Sequence, residues 1–254
     1  MIIEALQYAA TYPVTPSEFR PFIGGSVSLW SRATRCAREW AAHEENCQQF
    51  VIDTIDRMRQ RRTVVVLGSG LLRDVPVEAL ARTFDTVVLV DLVHLASVRL
   101  WLTMKRLDRV RLISRDLSGL DPMLSGECLD PLGFLRQVPY LDLVISANLL
   151  SQIAVRAERR LEQDKRADAT DIVPQLIEAH LRGLEALPCS TILLSDVAFK
   201  VQDGSGSTIE SADLLHGVAA PDAERQWPWP VVPFGEESRG YRIVHDVVAV
   251  RSLR

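Results

Sequence analysis

Branched apolar runs alternating with helical segments predict an α/β fold on a mostly parallel sheet, preceded by an N-terminal helical cap over residues 1–60. Two stretches carry most of that prediction. Val64, Val65, Val66 and Leu67 run into Gly68, Ser69 and Gly70, which reads as a buried parallel strand entering a tight turn where the backbone approaches a ligand closely. A second such strand, 87–90, ends in Asp91 and places a carboxylate at the same sheet edge, where it can accept two ribose hydroxyl hydrogen bonds.

The 254 residues suffice for one large domain with appendages, burying roughly 70–75% of the unfolded surface. A net charge of −4, with 47% hydrophobic and 24% charged residues, describes an ordinary globular chain. It has no basic excess, which speaks against nucleic acid as its partner. Cys36, Cys47, Cys128 and Cys189 form no C-x-x-C pair, which disfavours structural zinc and suits reduced packing thiols. The first residues have no basic run, carry Glu4 and reach Pro13 and Pro16 before any long apolar stretch, so no signal peptide is expected. No window approaches the roughly 18 apolar residues of a membrane span, and a cytoplasmic protein without membrane contact is expected.

Pro13, Pro16, Pro21, Gly24 and Gly25 predict an extended, turn-rich arm over residues 1–25. From 28 to about 59, Leu29, Ala33, Cys36, Ala37, Trp40, Cys47, Phe50, Val51 and Ile55 recur at helical steps, predicting a helix or helix pair packed over the sheet. The basic cluster ending in Arg62 reads as a solvated helix terminus. After the glycine turn, Pro76 suits the start of a helix to about Thr83. A helix at 95–107, strands at 110–114 and 141–146, helices at 151–165 and 172–187, and a strand at 191–201 follow. The turn at 203–207 lacks the helix and Lys of a phosphate loop. Residues 217–240, rich in Pro, Gly and Trp, read as cover for the sheet edge, and 241–252 as a closing strand antiparallel to its neighbour.

In this order the motifs resemble the class I, Rossmann-like S-adenosylmethionine-dependent methyltransferases over roughly residues 61–254. The resemblance implies a doubly wound seven-stranded sheet, S-adenosylmethionine as cofactor and methyl transfer. By residue, it implies cofactor contacts from Gly68, Ser69 and Gly70 at the first turn, from Asp91 and Leu92 after the second strand, and from Asp116 and Leu117 after the third. Asn148 falls in the loop after strand four, facing the methyl donor. The family's acid two residues before the first glycine is Val66 here, its third glycine is Leu72, and the Asn/Asp-Pro-Pro-Tyr motif of amino-group methyltransferases is absent. By elimination, a small-molecule acceptor is expected.

Each residue also has a plainer reading. Asp91 and Asp116 could be turn residues, and Asn148 and Gln152 could cap the next helix. His43, with Arg32, Arg35 and Trp40 on the same helical region, could form a lid and supply a base, although a lone His among arginines is more often plain surface. His180, His216 and His245 are too dispersed for a metal site by local spacing, and none is expected. Methyl transfer needs the acceptor aligned with an already activated donor, so a strong base is optional.

Two other functions stay open. A non-catalytic scaffold retaining the fold is motivated by Val66 and Leu72. A nicotinamide-dependent oxidoreductase is disfavoured by Arg73 at the third position of the dinucleotide fingerprint and by the late helix start at Pro76. The sequence also leaves a homo-oligomer open.

Overall fold

The computed structural model describes residues 2–166 and 168–252. The chain forms two compact units, Met1–Asp116 and Leu117–Arg254.

The first unit opens with three helices, α1 (Ile2–Thr11), α2 (Ile23–Arg35) and α3 (Ala37–Ile55), with short 3-10 turns at Tyr12–Val14 and Ser17–Phe22. The expected extended arm over 1–25 is therefore corrected. Its prolines punctuate only the segment between α1 and α2, while Glu4, Ala5, Leu6, Gln7, Ala9 and Ala10 are helix formers with nothing to break them. Gly24 and Gly25 lie inside α2, where a Cβ would meet no atom within 4 Å. The helical pattern further on is a pair, broken at Cys36.

Strands β1 (Thr63–Leu67), β2 (Thr86–Asp91) and β3 (Val110–Ser114) follow, with α4 (Val77–Thr83) and α5 (Ala96–Met104) in the crossovers. β2 pairs in parallel with both others, Leu67 opposite Val90 and Asp91 opposite Ser114, so the carboxyl ends of all three strands line up. All five β1 residues are buried, as a parallel strand covered on both faces requires. Helix α5 has no side-chain cap of its own. The hydroxyl of Thr11 instead accepts the Ala96 N–H at 3.0 Å, and Gln7 Nε2 donates to Ser97 Oγ at 2.5 Å. Helix α1 thus serves as a remote cap, with Thr11 satisfying one of the backbone donors that a helix start leaves open.

The second unit begins with a short helix α6 (Leu120–Leu124) and carries β4 (Leu141–Ala147), α7 (Leu150–Gln163), α8 (Ala169–Glu185), β5 (Ser190–Asp203), β6 (Thr208–Asp213), β7 (Arg225–Val232) and β8 (Tyr241–Arg251). β4 pairs in parallel with the first half of β5, Ala147 opposite Leu194, and β6 pairs antiparallel with its second half. β8 runs antiparallel along nearly all of β5, as expected of the closing strand, and β7 lies on its far side as an edge.

The described residues thus contain eight strands where seven are expected. β6 is exposed at every position and shows no apolar face in the sequence. β7 contains Pro228 and Pro230, which read as loop residues but are tolerated on an edge strand, where a missing N–H costs no ladder bond. The α/β class stands, with β1 to β5 in parallel pairs and the antiparallel strands gathered at the C-terminal end.

Candidate functional site

The site of the first unit is built where β1 and β2 end. Gly68 stays attached to β2 through its N–H to Val90 O at 2.9 Å, then the chain turns with φ of +72° at Gly68 and +47° at Gly70. These left-handed values are open to glycine without steric cost. Asp91 holds the turn closed. Its Oδ2 accepts the Gly70 N–H at 2.7 Å and its Oδ1 the Leu92 N–H at 2.7 Å. A carboxylate offers about four lone-pair sites, so each oxygen keeps capacity for one further donor. Asp91 is partly exposed, whereas Leu92 is buried.

Two buried polar atoms beside this turn have no hydrogen-bond partner: Ser69 Oγ and His94 Nδ1. His94 Nε2 lies 3.0 Å from Ile113 O. A carbonyl only accepts, so Nε2 carries the proton and Nδ1 presents a lone pair. Burial, the largest influence, pushes the His94 pKa below its ordinary value, which keeps the ring neutral. Asp116 sits two residues beyond the end of β3, half-buried.

Beyond Gly70 the chain makes a second tight step. Leu72 donates to Ser69 O at 3.0 Å and holds φ at +61°. A leucine in this left-handed region costs about 1–2 kcal/mol. The backbone therefore keeps the conformation a glycine would adopt, while the leucine side chain lines a cavity of about 310 Å³. Trp30 and Trp101 also line it, with Thr34, Arg73 and Ser97 as polar groups. Apolar walls with a few polar groups are the usual make-up of a small-molecule pocket.

Helix α3 fixes the loop that carries this lining. Arg73 makes a two-pronged ion pair with Glu44, at 2.5 and 3.1 Å, and its carbonyl accepts from Gln48 Nε2 at 2.6 Å. His43, four residues before Cys47 on α3, faces Asp74 of the same loop, with Nε2 3.4 Å from Oδ1. His43 and Cys47 are both buried. Burial first, then the nearby Asp74 and Glu44 charges, pushes the Cys47 thiol well above its ordinary value, so it is no nucleophile at neutral pH.

In the second unit, Leu117 is buried, and Asn148 is buried with φ of +48°, its N–H donating to Leu194 O at 2.7 Å. Its carbonyl accepts from Gln152 Nε2 at 2.8 Å. A polar array unforeseen in the sequence lies nearby in the chain. The buried Asp196 carboxylate accepts Ser151 Oγ–H at 2.6 Å on one oxygen and faces His245 Nδ1 at 2.6 Å on the other. Phe199 and Trp229 flank the His245 ring at 6.1 and 5.9 Å. The available signal was an acid two residues after the apolar run 192–194 of β5, inside the same strand, since an acid is rarely buried unless paired.

The class defined by this geometry is an α/β chain with a glycine turn and an acid at the carboxyl ends of adjacent parallel strands. No family model and no curated protein matches the sequence. Among solved structures, the YcgJ protein of Bacillus subtilis is similar at TM-score 0.37 and 11% identity, over 60% of this chain and 51% of that one. The chain therefore spans about half the length of that structure. A SAM-dependent methyltransferase from Aquifex aeolicus gives TM-score 0.36 and 10% identity over 79% of this chain and 89% of that one. The N-methyltransferase NodS from Bradyrhizobium japonicum, in complex with S-adenosylhomocysteine, gives 0.33 and 12% over 80% and 85%.

Proposed function

We propose that this chain is an S-adenosylmethionine-dependent methyltransferase acting on a small molecule. The observation that carries the reading is the tie between Gly70 and Asp91, which holds a glycine turn against a carboxylate that keeps lone pairs to spare. Gly68, Ser69 and Gly70 let the cofactor approach the backbone closely, and the remaining acceptor sites of Asp91 take its ribose hydroxyls. Asp116 stands by the adenine. The unpartnered Ser69 Oγ and His94 Nδ1 fit a ligand that brings hydrogen-bonding groups of its own.

When bound, the cofactor supplies a methyl group already activated as a sulfonium. The chain's own part is positioning. The tryptophan-lined cavity that begins at Leu71, the residue after Gly70, suits an acceptor with an apolar or aromatic body, and Ser97, Thr34 and Arg73 offer groups to orient its polar end.

Calorimetric titration of the folded chain with S-adenosylmethionine and with its demethylated product tests the reading. Saturable heat is expected, and its absence at millimolar ligand overturns it. A second reading, a non-catalytic scaffold, draws on Val66, an apolar residue fully buried in β1, and on Leu72, whose side chain enters the cavity where the resemblance expects glycine.

A further inference from the structure

We propose that His43, Cys47 and Asp74 form a binding site for a borderline-soft divalent cation of the zinc type. One ligand atom from each lies within 4.8 Å of the other two. His43 and Cys47 stand at i and i+4 on α3, the spacing that puts two side chains on one helix face. Asp74 comes from the loop after the glycine turn.

Two of the three separations are close to a metal's coordination edges, and the third lies within 4.8 Å. With Zn–S near 2.3 Å and Zn–N and Zn–O near 2.0–2.2 Å, two ligands at the tetrahedral angle stand about 3.3–3.6 Å apart. Cys47 Sγ is 3.7 Å from His43 Nε2, and His43 Nε2 is 3.4 Å from Asp74 Oδ1. Sγ also lies 3.9 Å from Nδ1, so it stands beside the imidazole and not along the Nε2 lone pair, and binding turns the His43 ring until that lone pair points between Sγ and the Asp74 carboxylate. A thiolate, a neutral imidazole and a carboxylate carry two negative charges, which balance a divalent cation. On binding, the metal–sulfur bond forms as the Cys47 thiol releases its proton to solvent.

The His43 side chain is fully buried, whereas that of Asp74 is 28% exposed. The cation therefore enters from the Asp74 side and keeps a fourth position there for water or an external donor, as in zinc sites with three protein ligands. Bound metal pins residues 71–75 to α3, alongside the Arg73–Glu44 pair, and so fixes the Leu72 and Arg73 walls of the cavity. This site does not depend on S-adenosylmethionine binding, and its test uses no methyl donor.

The full chain, stripped with a chelator, is titrated with Co²⁺ and then with Zn²⁺. The expected result is one equivalent of Co²⁺ with a thiolate-to-cobalt charge-transfer band in the near ultraviolet, displaced by Zn²⁺. Cys47→Ser abolishes the band, and Asp74→Asn, at a partly exposed residue, weakens Co²⁺ about tenfold or more. Cys128→Ser, at an exposed thiol, leaves both unchanged. Absence of the band in a chain that circular dichroism shows folded, persistence of the band in Cys47→Ser, or unchanged affinity in Asp74→Asn overturns the proposal.

Discussion

Asp91 accepts the backbone N–H of Gly70 at 2.7 Å across 21 residues of chain, so the acid that ends β2 also sets the shape of the turn that ends β1. Hydrogen bonds to a charged group contribute about 1.5–3 kcal/mol each. Asp91→Ala removes the bonds to Gly70 and Leu92 together. It is expected to lower stability by about 3–6 kcal/mol and to abolish most S-adenosylmethionine binding, read by chemical denaturation and calorimetry. Asp91→Asn keeps one acceptor and should fall between. Unchanged affinity in Asp91→Ala shows that the ribose lies elsewhere.

Leu72 holds a left-handed backbone at φ +61°. Substitution by glycine removes that strain at the expense of a cavity wall, whereas a β-branched residue tolerates the conformation worse than leucine. In urea denaturation Leu72→Val should be less stable than Leu72→Gly. The reverse order means that packing, not backbone strain, decides at this position.

Gly24 and Gly25 sit exposed in α2 with open space where a Cβ would lie. Glycine in a helix interior costs roughly 0.5–1 kcal/mol relative to alanine. Gly24→Ala and Gly25→Ala should each raise the melting temperature, with no steric penalty to offset the gain. A fall in either variant means that the glycine is needed for another reason.

The buried Asp196 carboxylate joins Ser151 to His245. Asp196→Ala leaves both without their acceptor inside the unit and should cost about 3–5 kcal/mol. Ser151→Ala, which removes one neutral donor, should cost about 1–3 kcal/mol. A double-mutant cycle on Ser151 and Asp196 measures their coupling, and additive effects show that the pair is not coupled.

His180 is fully buried, and burial lowers its pKa from 6.5 to about 4. The unfolded chain therefore binds a proton that the folded chain refuses between those values. The folded state has its full advantage above about pH 6.5 and loses it progressively as pH falls toward 4, by about 3 kcal/mol at roughly 1.4 kcal/mol per unit. Denaturation midpoints at pH 7 and pH 4.5 measure the loss. In His180→Gln the part of the pH dependence due to this residue should vanish, and an equal slope in both proteins refutes the assignment.

The fold is legible in the sequence wherever a segment's own residues settle its environment. β1, β2 and β4 are apolar runs that only a covered parallel strand accommodates, and β3, β5 and β8 show their branched apolar residues nearly as clearly. Gly68, Gly70 and Asp91 are legible for the same local reason, because glycine and a strand-end acid each have few uses at such points. Neither β6 nor β7 is visible in this way. Their ladders are set by pairing with β5 and β8, and not by an apolar face of their own.

Helix α1 and the polar clusters lie further from what sequence alone determines. Thr11 caps α5 from 85 residues away, Asp74 reaches His43 from a different element, and Asp196 meets His245 from 49 residues away. Hydrogen bonds and close ion pairs depend on separations of about 3 Å, and chain positions this far apart acquire such separations only once the strands have set the register of the elements that carry them. The sequence by itself therefore determined strands β1 to β5 and β8, the glycine turn and its acid through local burial and backbone freedom. The tertiary structure alone decided which buried polar side chains meet, because their partners are chosen by distance in space.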